Sequence, residues 1–447
     1  MLLRLENGTE QPLQKIVVRR LALAAAVGVA ILLPAGGWNS DVQAQQAPVT
    51  AAPPWSTTFS QEVRLFAWRS GVVPGFPVHS EGRGAELYSP YALQISGNPN
   101  DNFSVNIVGR GGWVKASQLT PGLSGSVATT TDTVLSGTVT YLGLPGVQPF
   151  VALQTNLPTG RSELFGSPAN ARMDPDLVDV ATFGEGFNVG PSAGLAFPVS
   201  KSLILTTSAG YTWRGPFHVE ADQTAPPPVL QTPTIINPGD DLTITAAANF
   251  AVGPVFGNLT GSFTRETATS QFDAPIYRAG DRYLAAATLG YVWSPGVGAT
   301  TLTASAAHAN HNDSLDLFQN ALVREVQNSN SNVFRLGLQH LFPVGAFSVG
   351  PIGSVLIRDH NGYDATTLQF VPGKERWSAG LLAQYSPSPT ITFNARVESV
   401  WIHESENPAI EDVAKFSVTA NGFIPAATVP AFSGTALQTS VGINVKM

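Results

Sequence analysis

The 447-residue chain contains no cysteine. A disulfide framework, a Cys-ligated zinc or iron–sulfur site and a catalytic thiol are therefore excluded. Charge is scarce as well: Asp, Glu, Lys and Arg make up 12% of the sequence, about half the share usual in a soluble domain. The net charge of −7 argues against nucleic acid as a partner. Long hydrophobic runs are also missing. The longest, Leu21 to Leu33, is too short to cross roughly 30 Å of hydrocarbon as a helix. If the mature chain sits in a membrane it must do so as a closed barrel, because lipid satisfies no backbone hydrogen bonds. What the sequence does have fits that alternative. Mean hydropathy is close to neutral, and the 43 Gly and 34 Pro suit many short segments, apolar on one face and small-polar on the other.

Residues 1–44 are expected to be a cleavable signal peptide. Lys15, Arg19 and Arg20 precede the apolar run, Pro34-Ala35-Gly36-Gly37 breaks it, and Val42-Gln43-Ala44 offers a cleavage site. The stretch Met1 to Gln14 is long and polar for the start of such a segment. Residues 45–57 then read as a short periplasmic tail, and 58–447 as the barrel.

Period-2 alternation carries the fold assignment. From Leu437 to Met447 one face reads Leu437, Thr439, Val441, Ile443, Val445 and Met447, and the other Gln438, Ser440, Gly442, Asn444 and Lys446. That is the length of one tilted membrane strand, about twice the usual soluble strand. The pattern recurs at Ile391 to Trp401, Leu242 to Val252, Leu203 to Arg214 and Phe103 to Trp113. In each, the non-apolar face is mostly Ser, Thr, Asn, Gly, Ala or Arg. A soluble sandwich would place its large apolar residues on the inner face and Lys and Glu on the outer one.

Connections alternate in length. Tight ones fall at 197–201, 253–254, 294–296, 342–345 and 386–389; long polar loops at 158–184, 215–240, 311–331 and 360–375. Trp293, Phe342 and Tyr385 lie by the short turns; Trp213, Tyr363, Trp377 and Trp401 lie toward the long loops. The chain is thus expected to be an all-β transmembrane antiparallel barrel of about fourteen to sixteen strands, sixteen being favoured, with short periplasmic turns and long extracellular loops. The expected location is the bacterial outer membrane. The expected partners are outer-membrane lipid and lipopolysaccharide, the barrel-assembly machinery through the C-terminal strand, and a small-molecule solute. Met447 stands where outer-membrane proteins usually end in an aromatic residue.

Three stretches carry a resemblance: Tyr141-Leu142-Gly143 through Asn156-Leu157-Pro158-Thr159-Gly160, Phe187 to Gly194, and Gly210-Tyr211. Together they resemble the outer-membrane channel group linked to phenol meta-pathway degradation, which is related in architecture to the long-chain fatty-acid transporters. The resemblance implies passive uptake of small, often hydrophobic compounds.

Candidate functional residues follow from strand parity. Arg110, Arg214, Arg335, Arg358, Arg396 and Glu398 fall on the polar phase and are expected to line the lumen, where fixed charge would select solutes. Alternatively they pair with nearby carboxylates and merely line a wet wall. So few lumen charges favour neutral or hydrophobic solutes. No cofactor is expected. Asp174, Asp176 and Asp179 are close enough to consider calcium, though acidic extracellular loops also bridge lipopolysaccharide phosphates. His308 and His311 point to opposite faces of a strand, a poor arrangement for one metal. The enzyme alternative is His403 and Ser405, which share an outward face and could form a base–nucleophile pair of a lipid hydrolase; Glu404 would point inward, leaving Glu406 to orient the base. A third possibility is a structural or adhesive barrel acting through its loops.

Overall fold

The structure, a computed structural model, describes residues 55–70, 82–119, 124–164, 167–219, 234–294, 296–316, 319–365, 370–405, 418–419, 422–423 and 432–447. The expected signal peptide, most of the tail and Glu406 lie outside the described residues.

Sixteen antiparallel wall strands close on themselves. They are β1 (Trp55–Ser70), β2 (Gly82–Asn100), β3 (Phe103–Gln118), β4 (Gly125–Thr130 and Thr133–Tyr141), β5 (Gln148–Leu157), β6 (Asn188–Ser200), β7 (Leu203–Arg214), β8 (Asp241–Val252), β9 (Val255–Glu266), β10 (Arg282–Val292), β11 (Ala299–Ala309), β12 (Val333–Val344), β13 (Phe347–Arg358), β14 (Lys374–Ser388), β15 (Ile391–Glu404) and β16 (Phe432–Lys446). The two runs of β4 both pair with β3 and so form one wall position, interrupted at Thr131 and Asp132. Closure comes from β1 against β16, Phe59 opposite Val445 and Trp68 opposite Ala436. The first strand starts at Trp55, opposite Gly97, three positions before the expected start of the barrel.

The alternation decides which way each strand faces. Leu242, Ile244, Leu336, Leu338, Leu381 and Val441 are exposed on the outer surface, whereas Glu398, Ser440 and Thr260, on the opposite phase, are buried. An outer face of Leu, Ile and Val around a closed wall is stable in hydrocarbon and unstable in water. Aromatic pairs mark the limits of this band. Phe103–Tyr141, Tyr291–Trp293 and Phe347–Tyr385 lie at the short-turn end. Phe187–Trp213 and Phe263–Tyr283 lie at the long-loop end. The protein is an integral β-barrel of the bacterial outer membrane.

The short turns are as tight as their chemistry allows. Gly253 (φ 59°) and Gly345 (φ 64°) take the left-handed conformation that a two-residue hairpin requires at its first central position. At the other end the long connections carry structure of their own. The β9–β10 and β11–β12 connections join in a four-stranded sheet of Thr269–Gln271, Ala274–Arg278, Asp313–Asp316 and Ala321–Arg324.

Candidate functional site

Among the described residues, one connection turns inward. The segment 158–187, between β5 and β6, turns into the lumen, and its neck explains how. The break in β4 frees the Asp132 carboxylate, which accepts the backbone N–H of Gly160 (2.8 Å), the backbone N–H of Glu185 (2.8 Å) and the Asn156 side-chain amide (2.7 Å). Asn156 also donates to the Gly186 carbonyl at 2.8 Å. Both ends of the segment are thus tied to one carboxylate. Gly160 is obligatory there, because a Cβ would stand 1.8 Å from the Phe183 carbonyl oxygen. The Asn156 to Gly160 motif is therefore, in this fold, the device that folds the loop inward.

Beyond the neck, apolar side chains glue the segment to one side of the lumen. Leu164, Ala171, Val180 and Phe183 pack with Val114 and Ala116 of β3 and Val127 of β4. Val178, with Leu177 and Met173, packs on Phe66 of β1 and on Val400 and Ile402 of β15. Arg172 staples the segment to itself by donating to the Ala181 and Ser162 carbonyls, its guanidinium 5.5 Å from the Phe183 ring centre. Such burial, at about 25 cal/mol per Å² of apolar surface, is what keeps a polar-ended loop out of solvent.

The tip carries the charge. Asp176 meets Arg358 of β13 at 2.7 Å and Arg335 of β12 at 3.9 Å. Asp174 pairs with Lys374 of β14. Lys374 also lies 3.3 Å from Glu404, which is 3.7 Å from Arg358. Asp179 pairs with Arg64 of β1 at 3.2 Å, and Arg64 pairs with Glu62 at 2.8 Å. Glu86 of β2 accepts the backbone N–H groups of Asp179 (3.0 Å) and Val180 (3.1 Å). Burial pushes the Asp174 carboxyl upward, but the Lys374 ammonium beside it outweighs this and holds it below the ordinary aspartate value.

The expected arginines fall in four places. Arg335 and Arg358 join the loop tip. Arg396 pairs with Glu398, which accepts a 2.7 Å hydrogen bond from Ser378. Arg214 belongs to a separate rim group with Glu266 (3.6 Å), where Arg282 also meets Glu266 (3.4 Å) and Asp241 (2.7 Å). Arg110 stands on the inward phase of β3, between Ala92 and Val134 in register. Parity alone did not single out Arg64, Glu86, Lys374 or Arg376. Arg376 donates to Gln438 at 2.8 Å, its guanidinium 5.7 Å from the Phe66 ring centre.

Two expectations need correction. The acidic triplet is not an outward extracellular cluster: it points inward and its carboxylates take Lys374, Arg358 and Arg64 as partners. Among the described residues no group of three metal-ligating side chains is arranged around a common point. The lumen is also more charged than parity counted, because one bank of its charges comes from the loop.

The facing wall has another character. From β6 to β11 the inward positions include Ser192, Thr206, Ser208, Thr243, Thr245, Ser262, Thr264, Thr288, Thr303 and Ser305, set side by side by the register, with Ile204, Ala247, Phe256, Leu284 and Ala286 on the same phase. Charge on this wall is confined to the rim group of Arg214, Asp241, Glu266 and Arg282.

His403 and Ser405 lie at the top of β15, on its exposed outer phase. Among the described residues no hydrogen bond joins them. The Ser405 backbone N–H donates to the Gly373 carbonyl, and Glu404 points inward to Lys374 and Arg358.

No protein-family model matches the chain, and no curated protein sequence matches it. Solved structures similar to it include a mutant porin of Rhodopseudomonas blastica, at 12% identity and a TM-score of 0.31, covering 88% of this chain and 100% of that one. Another is OmpT, an outer membrane protein of Vibrio cholerae, at 9% identity and a TM-score of 0.39, covering 90% and 100%. A third is OccK7 (OpdD) of Pseudomonas aeruginosa, at 8% identity and a TM-score of 0.40, covering 88% and 99%.

Proposed function

We propose that the protein is a passive channel for small neutral solutes, narrowed by the 158–187 segment. The observation that supports this most is the pairing of the loop with one wall. Asp174, Asp176 and Asp179 offset the charge of Lys374, Arg358 and Arg64, so the bank of fixed charge is largely neutralised where it stands. The route left to a solute runs along the hydroxyl-lined wall of β6 to β11. Hydroxyls offer hydrogen bonds to replace part of a solute's hydration without selecting a charge. A barrel of about sixteen strands is wide enough for an aqueous lumen, and a folded-in loop sets its cutoff.

The test is a liposome-swelling assay with the refolded protein. Neutral pentoses and hexoses should enter at rates that fall steeply with size, and anionic analogues of equal size should gain no advantage. Failure of every solute to enter would dismiss the proposal. The hydrolase reading draws no support from the described residues: no hydrogen bond joins His403 to Ser405, and Glu406, the residue expected to orient the base, lies outside them.

A further inference from the structure

The lipid-facing surface carries a concavity of about 950 Å³ on β7 to β13. Its floor is built of small side chains brought together by register: Ala285 lies opposite Ala306, and Ala287 opposite Ala304. Leu259 stands on one flank and Phe334 on the other. All six are on the outward phase, so the cavity opens to the membrane and not to the lumen. A convex wall of leucines would need no occupant beyond disordered lipid. A hollow this large loses dispersion contacts unless a chain lies in it.

Depth and charge narrow the occupant. Along β10 the outward residues run from Tyr283, at the long-loop end, through Ala285, Ala287 and Leu289 to Tyr291 at the short-turn end. Tyr283 and Tyr291 bound roughly 25 Å of strand; Ala285 and Ala306 lie in the half nearest Tyr283, and Ala287 and Ala304 at the midpoint. The hollow therefore runs from mid-membrane toward the outer leaflet. Directly above it the outward stripe becomes aromatic and basic: Phe263 contacts Tyr283, and Tyr283 contacts His308. Arg265 holds its guanidinium 5.8 Å from the Phe263 ring centre and keeps 63% of its side chain exposed. Arg265 pairs with Asp281, and Arg278 pairs with Asp313. Glu325 of the β11–β12 connection is turned to the backbone N–H groups of Asn312 and Ser329.

We propose that this hollow seats an acyl chain of lipid A, with a lipid A phosphate at Arg265. The alanine floor admits the chain and the flanking Leu259 and Phe334 hold it. The phosphate competes with Asp281 for a guanidinium already at headgroup level. This assignment depends on the membrane face alone, so it stands or falls apart from any transport activity.

The full mature chain is reconstituted in nanodiscs carrying either lipid A or phosphatidylglycerol at equal, low mole fraction, and bound lipid is counted by native mass spectrometry. The wild type should retain lipid A over phosphatidylglycerol. Ala285→Phe, which fills the hollow, and Arg265→Ala should each lower lipid A retention by about tenfold, with an unchanged heat-modifiable band showing an intact barrel. If Ala285→Phe fails to fold, Ala304→Leu fills the same space more gently. Equal retention of the two lipids by the wild type, or unchanged lipid A on the filled variants, would overturn the proposal. So would a wild-type dimer that the filled variants lose while keeping lipid A, since a second copy of the chain would then be the occupant.

Discussion

Asp176 and Arg358 stand 182 residues apart in the chain and 2.7 Å apart across the lumen. This contact ties the tip of a loop that enters from β5 to the top of β13. The pair is shielded from solvent on both sides, so removing Asp176 leaves Arg358 with only the more distant Glu404 carboxylate, at 3.7 Å. Asp176→Asn should lower the stability of the folded loop by roughly 2–4 kcal/mol, less than for a buried charge left with no partner. The double variant Asp176→Asn with Arg358→Met should recover part of that loss, and a double-mutant cycle on thermal unfolding measures the coupling.

The neck makes a separate prediction. Asp132 accepts hydrogen bonds from Gly160, Glu185 and Asn156 at 2.7–2.8 Å, and hydrogen bonds to a charged group contribute about 1.5–3 kcal/mol each. Asp132→Ala should leave the wall intact but release the loop. Limited proteolysis should then cut within 158–187 in the variant and spare the wild type.

Gly160→Ala reaches the same end by sterics. Its Cβ would overlap the Phe183 carbonyl oxygen, a backbone atom that cannot step aside. The variant should assemble as a barrel and show the proteolytic pattern of Asp132→Ala, whereas Gly137→Ala, where a Cβ meets nothing within 4 Å, should behave as wild type.

Acid should loosen the tip late. The Asp174 carboxyl is held below its ordinary value by Lys374. Its stabilising contribution is complete above the unfolded aspartate pKa, near 3.8, and is lost as pH falls through the lower, folded value. Loop protection against proteolysis by an acid-active protease should therefore hold from pH 7 to pH 5 and fall only below about pH 4. Lys374→Met should move that loss upward in pH.

Much of the wall was legible because alternation is local. Leu437 to Met447 announces β16 by its own side chains, and the two-residue turn at Gly253-Pro254 announces a hairpin. The inward loop was not legible in the same way. Its Pro158, Thr159 and Gly160 read as the start of a long polar loop, and the residue that makes them a neck, Asp132, lies 28 positions away from Gly160. Leu164, Met173, Leu177, Val178, Val180 and Phe183 were the available signal, since a solvated loop has no use for so many apolar side chains. The pairing of Asp174 with Lys374 is beyond local reasoning, because it depends on barrel closure bringing β14 opposite the loop. Parity also placed Arg214 and Arg358 on one inward face without showing that they join different groups.

The most direct test uses the absence of cysteine. Pro175, exposed at the inward tip between Asp174 and Asp176, can be replaced by Pro175→Cys to give the only thiol in the chain. In a planar bilayer the refolded variant should show steady single-channel conductance with weak ion selectivity, and a bulky thiol reagent should cut that conductance sharply while leaving the wild type unaffected. Absence of conductance in both proteins, or a conductance that the reagent does not alter, would contradict a solute path past the 158–187 loop.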